Sequence, residues 1–415
     1  MTGTGSLREV EEQLALVLAR VRRVETERLP VSEAQGRTLA EPLRAAIDIP
    51  VFDNSGMDGF AVRFADARDA SPGHPVSLRV VADLPAGSPL DPPIGPGEAV
   101  RIMTGSAVPT AAEAIVPFED TAGGLADSLG TISVVGAPPA AGTHIRRRAD
   151  DLAAGDLVLE AGAQLGPLQL SSAAAGGVAE VVVARRPRAA VVSTGAELVP
   201  PGLPLTRGQI PESNTELLTG LARGAGAEVV LRTTVDDEGD GLTTAVAEAS
   251  ALGADVVVFS GGVSAGAYEV VKNTLAGTME FAKVAMQPGK PQGFGVTADG
   301  MLLFGLPGNP VSAAVSFEVF VRPALLAMQG RAQLHRHMVR LPAAVPWRTP
   351  AGRRQYLPAA IDRSDPARWT VRPATAGGSG SHLAGGLARA EAFAIVPAEV
   401  DAVAAGDAVD VMLLS

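Results

Sequence analysis

Between residues 189 and 323, short unbroken apolar runs alternate with longer stretches whose apolar positions recur at helical spacing. AAVVS (189–193), VVLRTTV (229–235), DVVVFS (255–260) and MLLFG (301–305) read as buried strands. Each hands over to a loop rich in Gly, Ser, Asp or Glu: TGAEL, Asp236-Asp237-Glu238, GGVSAG and LPGNPVSA. The pattern predicts helices over 215–223, 240–252, 268–275 and 311–328. Strands alternating with helices of this length imply a doubly wound, mostly parallel α/β sheet covered on both faces. Such sheets bind ligands beyond the carboxyl ends of their strands. The polar clusters of this region all fall on that edge.

The flanks have other periods. Leu7, Val10, Leu14, Val17, Leu18 and Val21 fit one face of an amphipathic helix, which packs on its own chain or on a second subunit. A polar, Pro-rich stretch (29–50) then leads into FDNSGMDGFAV (52–62), a tight turn entering a short strand. Residues 75–140 read as several short strands divided by Gly/Pro turns. Small apolar residues return at 152–184, with a helix over 167–175. From about residue 330 short strands follow again, separated by turns and by one loop, GGSGSHLAGG (377–386). The expected division is a discontinuous helical domain (7–28 with 141–180) and an inserted β-rich domain (29–140). A central α/β domain (181–329) and a C-terminal β-barrel-like domain (330–415) complete it.

Composition narrows the chemistry. A length of 415 residues exceeds what one core usually holds. With 47% hydrophobic but only 4% aromatic residues, the cores must be built from Ala, Val and Leu. Cysteine is absent, which removes disulfides, thiolate nucleophiles and iron–sulfur ligation together. A net charge of −11 argues against a nucleic-acid binder, although a local basic pocket can still take an anionic small molecule. No uncharged apolar run of membrane-spanning length occurs and the first residues are charged, so a soluble cytoplasmic protein without membrane contact is expected.

Several motifs suit phosphate chemistry. Gly261-Gly262-Val263-Ser264 follows a strand and precedes a helix, where backbone amides and a helix dipole favour an anion; a plain glycine turn is the alternative. In Pro307-Gly308-Asn309-Pro310-Val311-Ser312, Asn309 can cap a helix that opens with Pro310, leaving the Ser312 hydroxyl near its first-turn amides. Gln287-Pro288-Gly289-Lys290-Pro291 projects a lysine from a turn held by prolines. Glu197 and Asp236 end neighbouring strands and could share Mg²⁺, which takes one or two carboxylates plus substrate oxygens. His144-Ile145-Arg146-Arg147-Arg148-Ala149-Asp150-Asp151 is either a structural Arg–Asp cluster or an oxyanion site. Asp58 on spacing alone is a turn carboxylate, and Thr104 in RIMTG ends a strand or offers its hydroxyl to an anion. P-loop, dinucleotide-binding and serine-hydrolase signatures do not occur.

FDNSGMDGFAV, RIMTGSAVP, IRRRADD, VVSTGAELV, GQIPESN, SGGVSAGAYEVVK, MQPGKPQGFG and FGLPGNPVSAAVSFEVFVRP occur together and in this order. As a set, spread over nearly the whole chain, they resemble the molybdopterin molybdenumtransferase family of MoeA type, to which the gephyrin E domain is similar. The resemblance implies an enzyme of molybdenum cofactor biosynthesis. It would take molybdate and adenylylated molybdopterin and, in a Mg²⁺-dependent step, release AMP and leave molybdenum on the pterin's sulfurs. It further implies an elongated homodimer with a shared active site and a molybdopterin adenylyltransferase as possible partner.

Carried over by motif, Asp58, Thr104, Arg146, Glu197, Asp236 and Lys290 are the expected catalytic residues, with Glu197 and Asp236 as metal ligands. Thr194, Gly261, Gly262, Ser264, Gly308, Asn309, Ser312, Arg353, Ser379 and Ser381 are the expected substrate-binding residues. Three positions depart from the family pattern. Ala196 replaces an Asp before Glu197, Ala267 replaces an Asp before Tyr268, and Gln287 replaces the first lysine of a KPGKP turn. Two rival readings follow, a catalytically weakened paralogue that binds pterin or acts as a scaffold, and an adenylyltransferase-like enzyme on the same central domain.

Overall fold

The computed structural model describes residues 7–127, 129–236, 240–263, 270–375 and 384–414. Its centre is a six-stranded sheet in the order Glu228–Val235, Arg188–Thr194, Val256–Ser260, Leu302–Leu306, Pro291–Val296, Met279–Lys283. The first four strands run parallel, Pro291–Val296 runs against them, and Met279–Lys283, antiparallel to Pro291–Val296, runs with the first four. Alternate side chains part to opposite faces, as a pleated strand requires. Ala189, Val191, Val256, Val258, Leu302 and Phe304 enter one core, whereas Ala190, Val192, Val257 and Leu303 enter another. Helix Asn214–Gly224 and the helical segment Pro310–Met328 cover the first face. Helices Gly241–Ala251 and Val270–Leu275 cover the second. The predicted helices thus form, with the start of the one expected at 268 lying outside the described residues.

Pro310–Met328 is long and apolar enough to cross a membrane, with a mean hydropathy of 1.5, yet 89% of that window is buried inside the protein. A helix hydrophobic on all sides belongs to a core or to a membrane; here it is the core helix of the central body. Residues Phe317–Val321 within it wind as a π-turn.

Strand pairing redraws the expected divisions. Thr26–Pro30 pairs antiparallel with Glu180–Ala184, and Leu43–Arg44 with Leu157–Leu159. Residues 26–47 therefore join 150–184 in one small body, whose core includes Leu39, Leu43, Leu165, Ala173 and Val183. A division at 29 would cut the strand Thr26–Pro30. The helix Val10–Leu18 belongs elsewhere: Val10 and Val17 are buried in the central core. Within the Pro-rich stretch 29–50 the strand Leu43–Arg44 is two residues long and leaves no periodicity to read.

The inserted β body is a five-stranded sheet in the order Ala114–Pro117, Gly59–Val62, Glu98–Ile102, Val76–Leu84, Thr131–Val134. The C-terminal sheet runs Met286–Gln287, Arg354–Asp362, Ala392–Val396, Ala408–Leu413, Met338–Pro342. Its edge strand Met286–Gln287 comes from the central body, pairing parallel with Arg354 and Gln355. That pairing brings the C-terminal body to the turn that carries Lys290.

Candidate active site

A cavity of about 470 Å³ opens at the carboxyl edge of the central sheet. Thr194 and Ser260 end adjacent parallel strands on its floor, and Pro307 and Gly308 follow a third. Four loops close it: Gly195–Leu198, Gly261–Gly262, the Gln287–Pro291 turn, and Pro307–Ser312.

Local geometry demands glycine at two of these positions. Gly261 has φ +97°, and an added Cβ would stand 2.6 Å from the Thr194 carbonyl oxygen. Backbone meets backbone there, so no side chain fits. At Gly195 the backbone itself, at φ +152°, favours glycine, and an added Cβ would stand 2.6 Å from Glu197 Oε2. The Glu197 carboxylate is thus folded over Gly195, at the rim between this cavity and an adjoining hollow of about 740 Å³ that holds Asp236. Gly195 and Leu198 line both. The two carboxylates face neighbouring compartments across one wall.

The lysine turn is clamped from below. Gln292 Nε2 donates to the Gly289 carbonyl and to Ser316 Oγ, both at 2.7 Å, which ties the turn to the core helix. The Lys290 carbonyl accepts from Val284 N–H at 2.7 Å. The Lys290 side chain lines the cavity half-buried and forms no ion pair among the described residues. Ser312, 4% exposed, enters from the first turn of helix Pro310–Ser316. Pro310 occupies the first helical position as expected, but the Asn309 side chain makes no capping hydrogen bond. Asn309 lines the cavity wall.

Asn214 is the residue that sequence reasoning missed. It is 8% exposed, and its Nδ2 donates to Ser260 Oγ at 2.5 Å and to the Gly308 carbonyl at 2.6 Å, joining two walls of the cavity. Its Oδ1 is buried without a hydrogen-bond partner. A buried orphan acceptor costs about 1–3 kcal/mol, which the two Nδ2 bonds across the cavity walls help to offset. The only sequence signal was its place in GQIPESN. Gln287, the departure from the KPGKP pattern, also lines the cavity and accepts from Arg353 at 2.7 Å. Arg353 thereby joins the site from the C-terminal body.

Asp58 and Thr104 pair in the inserted β body, Arg146 lies on the short strand Ile145–Arg146 that pairs with Asn54–Ser55, and none of them lines the cavity of its own chain. Thr104 donates to Asp58 Oδ1 through both its amide (2.6 Å) and its hydroxyl (2.7 Å). These two bonds hold the carboxyl below the usual aspartate range. In the RRR run, Arg147 pairs with Asp53 at 2.6 Å and Arg148 with Asp48, so two of the three guanidiniums are structural. Arg146 forms no ion pair among the described residues. Ser264, Ser379 and Ser381 lie outside the described residues.

For Mg²⁺ the donor set is sparse: no group of three or more His, Cys, Asp or Glu occurs among the described residues. Glu197 and Asp236 line separate hollows, so an ion at either would take one protein carboxylate and fill its shell with water and substrate oxygens.

Comparison with known proteins decides the family. The chain matches the MoeA N-terminal region (domain I and II) over residues 8–177. It matches the "Probable molybdopterin binding domain" over 190–327 and the MoeA C-terminal region (domain IV) over 340–414. It is 43% identical to molybdopterin molybdenumtransferase 2 of Mycobacterium tuberculosis, covering 96% of this chain and 98% of that protein.

The chain belongs to the MoeA family of molybdopterin molybdenumtransferases.

A second relative, the molybdopterin molybdenumtransferase of Haemophilus influenzae, is 35% identical over 93% of both proteins. The MoeA crystal structure from Pyrococcus horikoshii superposes with a TM-score of 0.80 at 31% identity, over 99% of this chain and all of that one. As a MoeA chain, this protein keeps its cavity within the segment matching the molybdopterin-binding domain, and Arg353, from the segment matching domain IV, bonds to Gln287 on its wall.

Proposed function

We propose that this protein inserts molybdenum into molybdopterin, taking molybdate and adenylylated molybdopterin and releasing AMP and Mo-molybdopterin. The observation that carries the reading is Lys290, without an ion pair among the described residues, beside Ser312 and the Gly261–Gly262 turn in one cavity at the strand ends. A cation, a hydroxyl and a glycine turn that lets backbone approach closely suit a tetrahedral oxyanion and a phosphate.

Lys290, Ser312 and Arg353 bind molybdate or the pterin phosphate. Gly261 and Gly262 cradle the adenylate phosphate, with Thr194, Gly308 and Asn309 completing the wall. Arg353, bonded to Gln287, brings a guanidinium to the place where the family pattern has a lysine. That contact supports a competent enzyme despite the substitution. Glu197 or Asp236 would hold Mg²⁺, which would screen phosphate charge during cleavage of the phosphoanhydride. Positioning and electrostatics supply the rate; the cavity wall holds no cysteine and needs no covalent nucleophile.

Asp58, Thr104 and Arg146 reach the cavity from a second copy in a homodimer. Its pterin substrate comes from an ATP-consuming adenylyltransferase, and the work is done in the cytoplasm. The test is to incubate the protein with adenylylated molybdopterin, molybdate and Mg²⁺. AMP and metal-loaded pterin should appear together. Tight pterin binding without AMP release would sink the catalytic reading.

A further inference from the structure

A second pocket, of about 350 Å³, shares no lining residue with the active cavity. It lies where the end of the core helix meets the turn at 162–164 and the segment 331–337. Arg322, Arg331 and Arg336 line it, with His335 and His337 exposed at its rim, and no carboxylate lines it.

One acid stands behind this wall. Glu318, 2% exposed on the π-turn, accepts from Arg336 Nε at 2.9 Å and from its Nη2 at 3.0 Å. That fork uses both carboxylate oxygens. Arg322 Nε stays 3.6 Å from the same carboxylate and is buried with no hydrogen-bond partner. Among the described residues Arg331 has only neutral acceptors, Thr38 Oγ1 at 3.2 Å and the Gly36 carbonyl at 3.5 Å. Burial, with the Arg322 charge beside it, pushes Arg331 down to about 10. Burial and the Arg336 charge lower Arg322 as well.

Three guanidiniums against one carboxylate leave two positive charges uncompensated in a chain whose net charge is −11. Holding them together half-buried is unfavourable unless an anion completes the set. Arginine is the side chain whose planar fork matches tetrahedral oxyanions, and the volume falls in the range of small-molecule sites, roughly 300–1,000 Å³.

We propose that this pocket is a second anion site, binding a tetrahedral dianion of the phosphate type, either free or carried as a phosphate monoester. Arg331 and Arg322 donate to its oxygens, and Arg336, oriented by Glu318, supplies the third side. The site stands independently of the reaction assigned to the active cavity.

Calorimetric titration of the full chain tests it, with inorganic phosphate and glycerol phosphate as probes. The background is Lys290→Ala, so that the active cavity does not contribute. Phosphate should bind, and Arg331→Gln should weaken it about tenfold or more, the loss expected for one charged hydrogen bond. Thermal unfolding without phosphate checks that Arg331→Gln folds. Should it not, Arg331→Lys, which keeps the charge without the fork, should bind several-fold more weakly. Glycerol phosphate binding more tightly than phosphate identifies a carried phosphoryl group, and the reverse order identifies a free ion. No binding of either probe, loss of all binding with Lys290→Ala alone, or unchanged affinity in both Arg331 variants would overturn the proposal.

Discussion

The Lys290 ammonium lines the active cavity and forms no ion pair among the described residues. For Lys290, a charged hydrogen bond to an oxyanion is worth about 1.5–3 kcal/mol. Lys290→Ala should therefore lower kcat/KM for molybdate insertion by about ten- to a hundredfold while leaving thermal stability within about 0.5 kcal/mol. A drop in Tm equal to the loss of activity would make the lysine structural instead. Asn214→Ala differs, because it leaves the Gly308 carbonyl and Ser260 hydroxyl without their donor. It should cost about 1–3 kcal/mol of stability as well as activity, measurable by denaturant titration. Asp58 makes a prediction in pH. Its folded pKa is depressed by the two Thr104 bonds, so their contribution is present at neutral pH and is lost as pH falls through the depressed value. Thr104→Val removes the hydroxyl bond and should move the Asp58 titration up toward the ordinary aspartate range, read by carboxyl NMR. An unmoved titration would show that the amide alone sets it.

The turns owe their rigidity to neighbouring elements rather than to their own sequence. The Gln287–Pro291 turn is held by Gln292 reaching across to Ser316. Gln292→Leu should leave the Gly289 carbonyl buried and unpaired at a cost of about 1–3 kcal/mol. It should also raise the KM for molybdate with less change in kcat, since the loosened turn weakens binding before chemistry. Equal loss in kcat would contradict a positioning role. The strands and glycine loops of this edge were legible because each strand is a short apolar run ending in a motif. Gln292 and Asn214 were not, because their partners lie 24 and 46 positions away and only the tertiary fold unites them. The same reason hid the ladders Thr26–Pro30 with Glu180–Ala184 and Leu43–Arg44 with Leu157–Leu159, whose partners are more than a hundred residues apart.

At the scale of the whole molecule, the expected site residues fall into two groups. Glu197, Lys290, Ser312 and the glycine loops gather on the central body, with Arg353 joined through Gln287, whereas Asp58, Thr104 and Arg146 sit in the inserted β body. If both groups serve one reaction through a homodimer, each active site draws one group from each subunit. Two impaired variants, Lys290→Ala and Asp58→Asn, should then complement, activity being read above that of either variant alone. In a mixed dimer one site carries both lesions and the other carries neither. Random mixing places half of the dimers in that state, so about a quarter of wild-type activity per site should return. Mixing without subunit exchange should return none, which separates complementation from residual activity. Exchange with no recovered activity would mean that the Asp58 cluster serves its own chain, and the shared site would have to be abandoned.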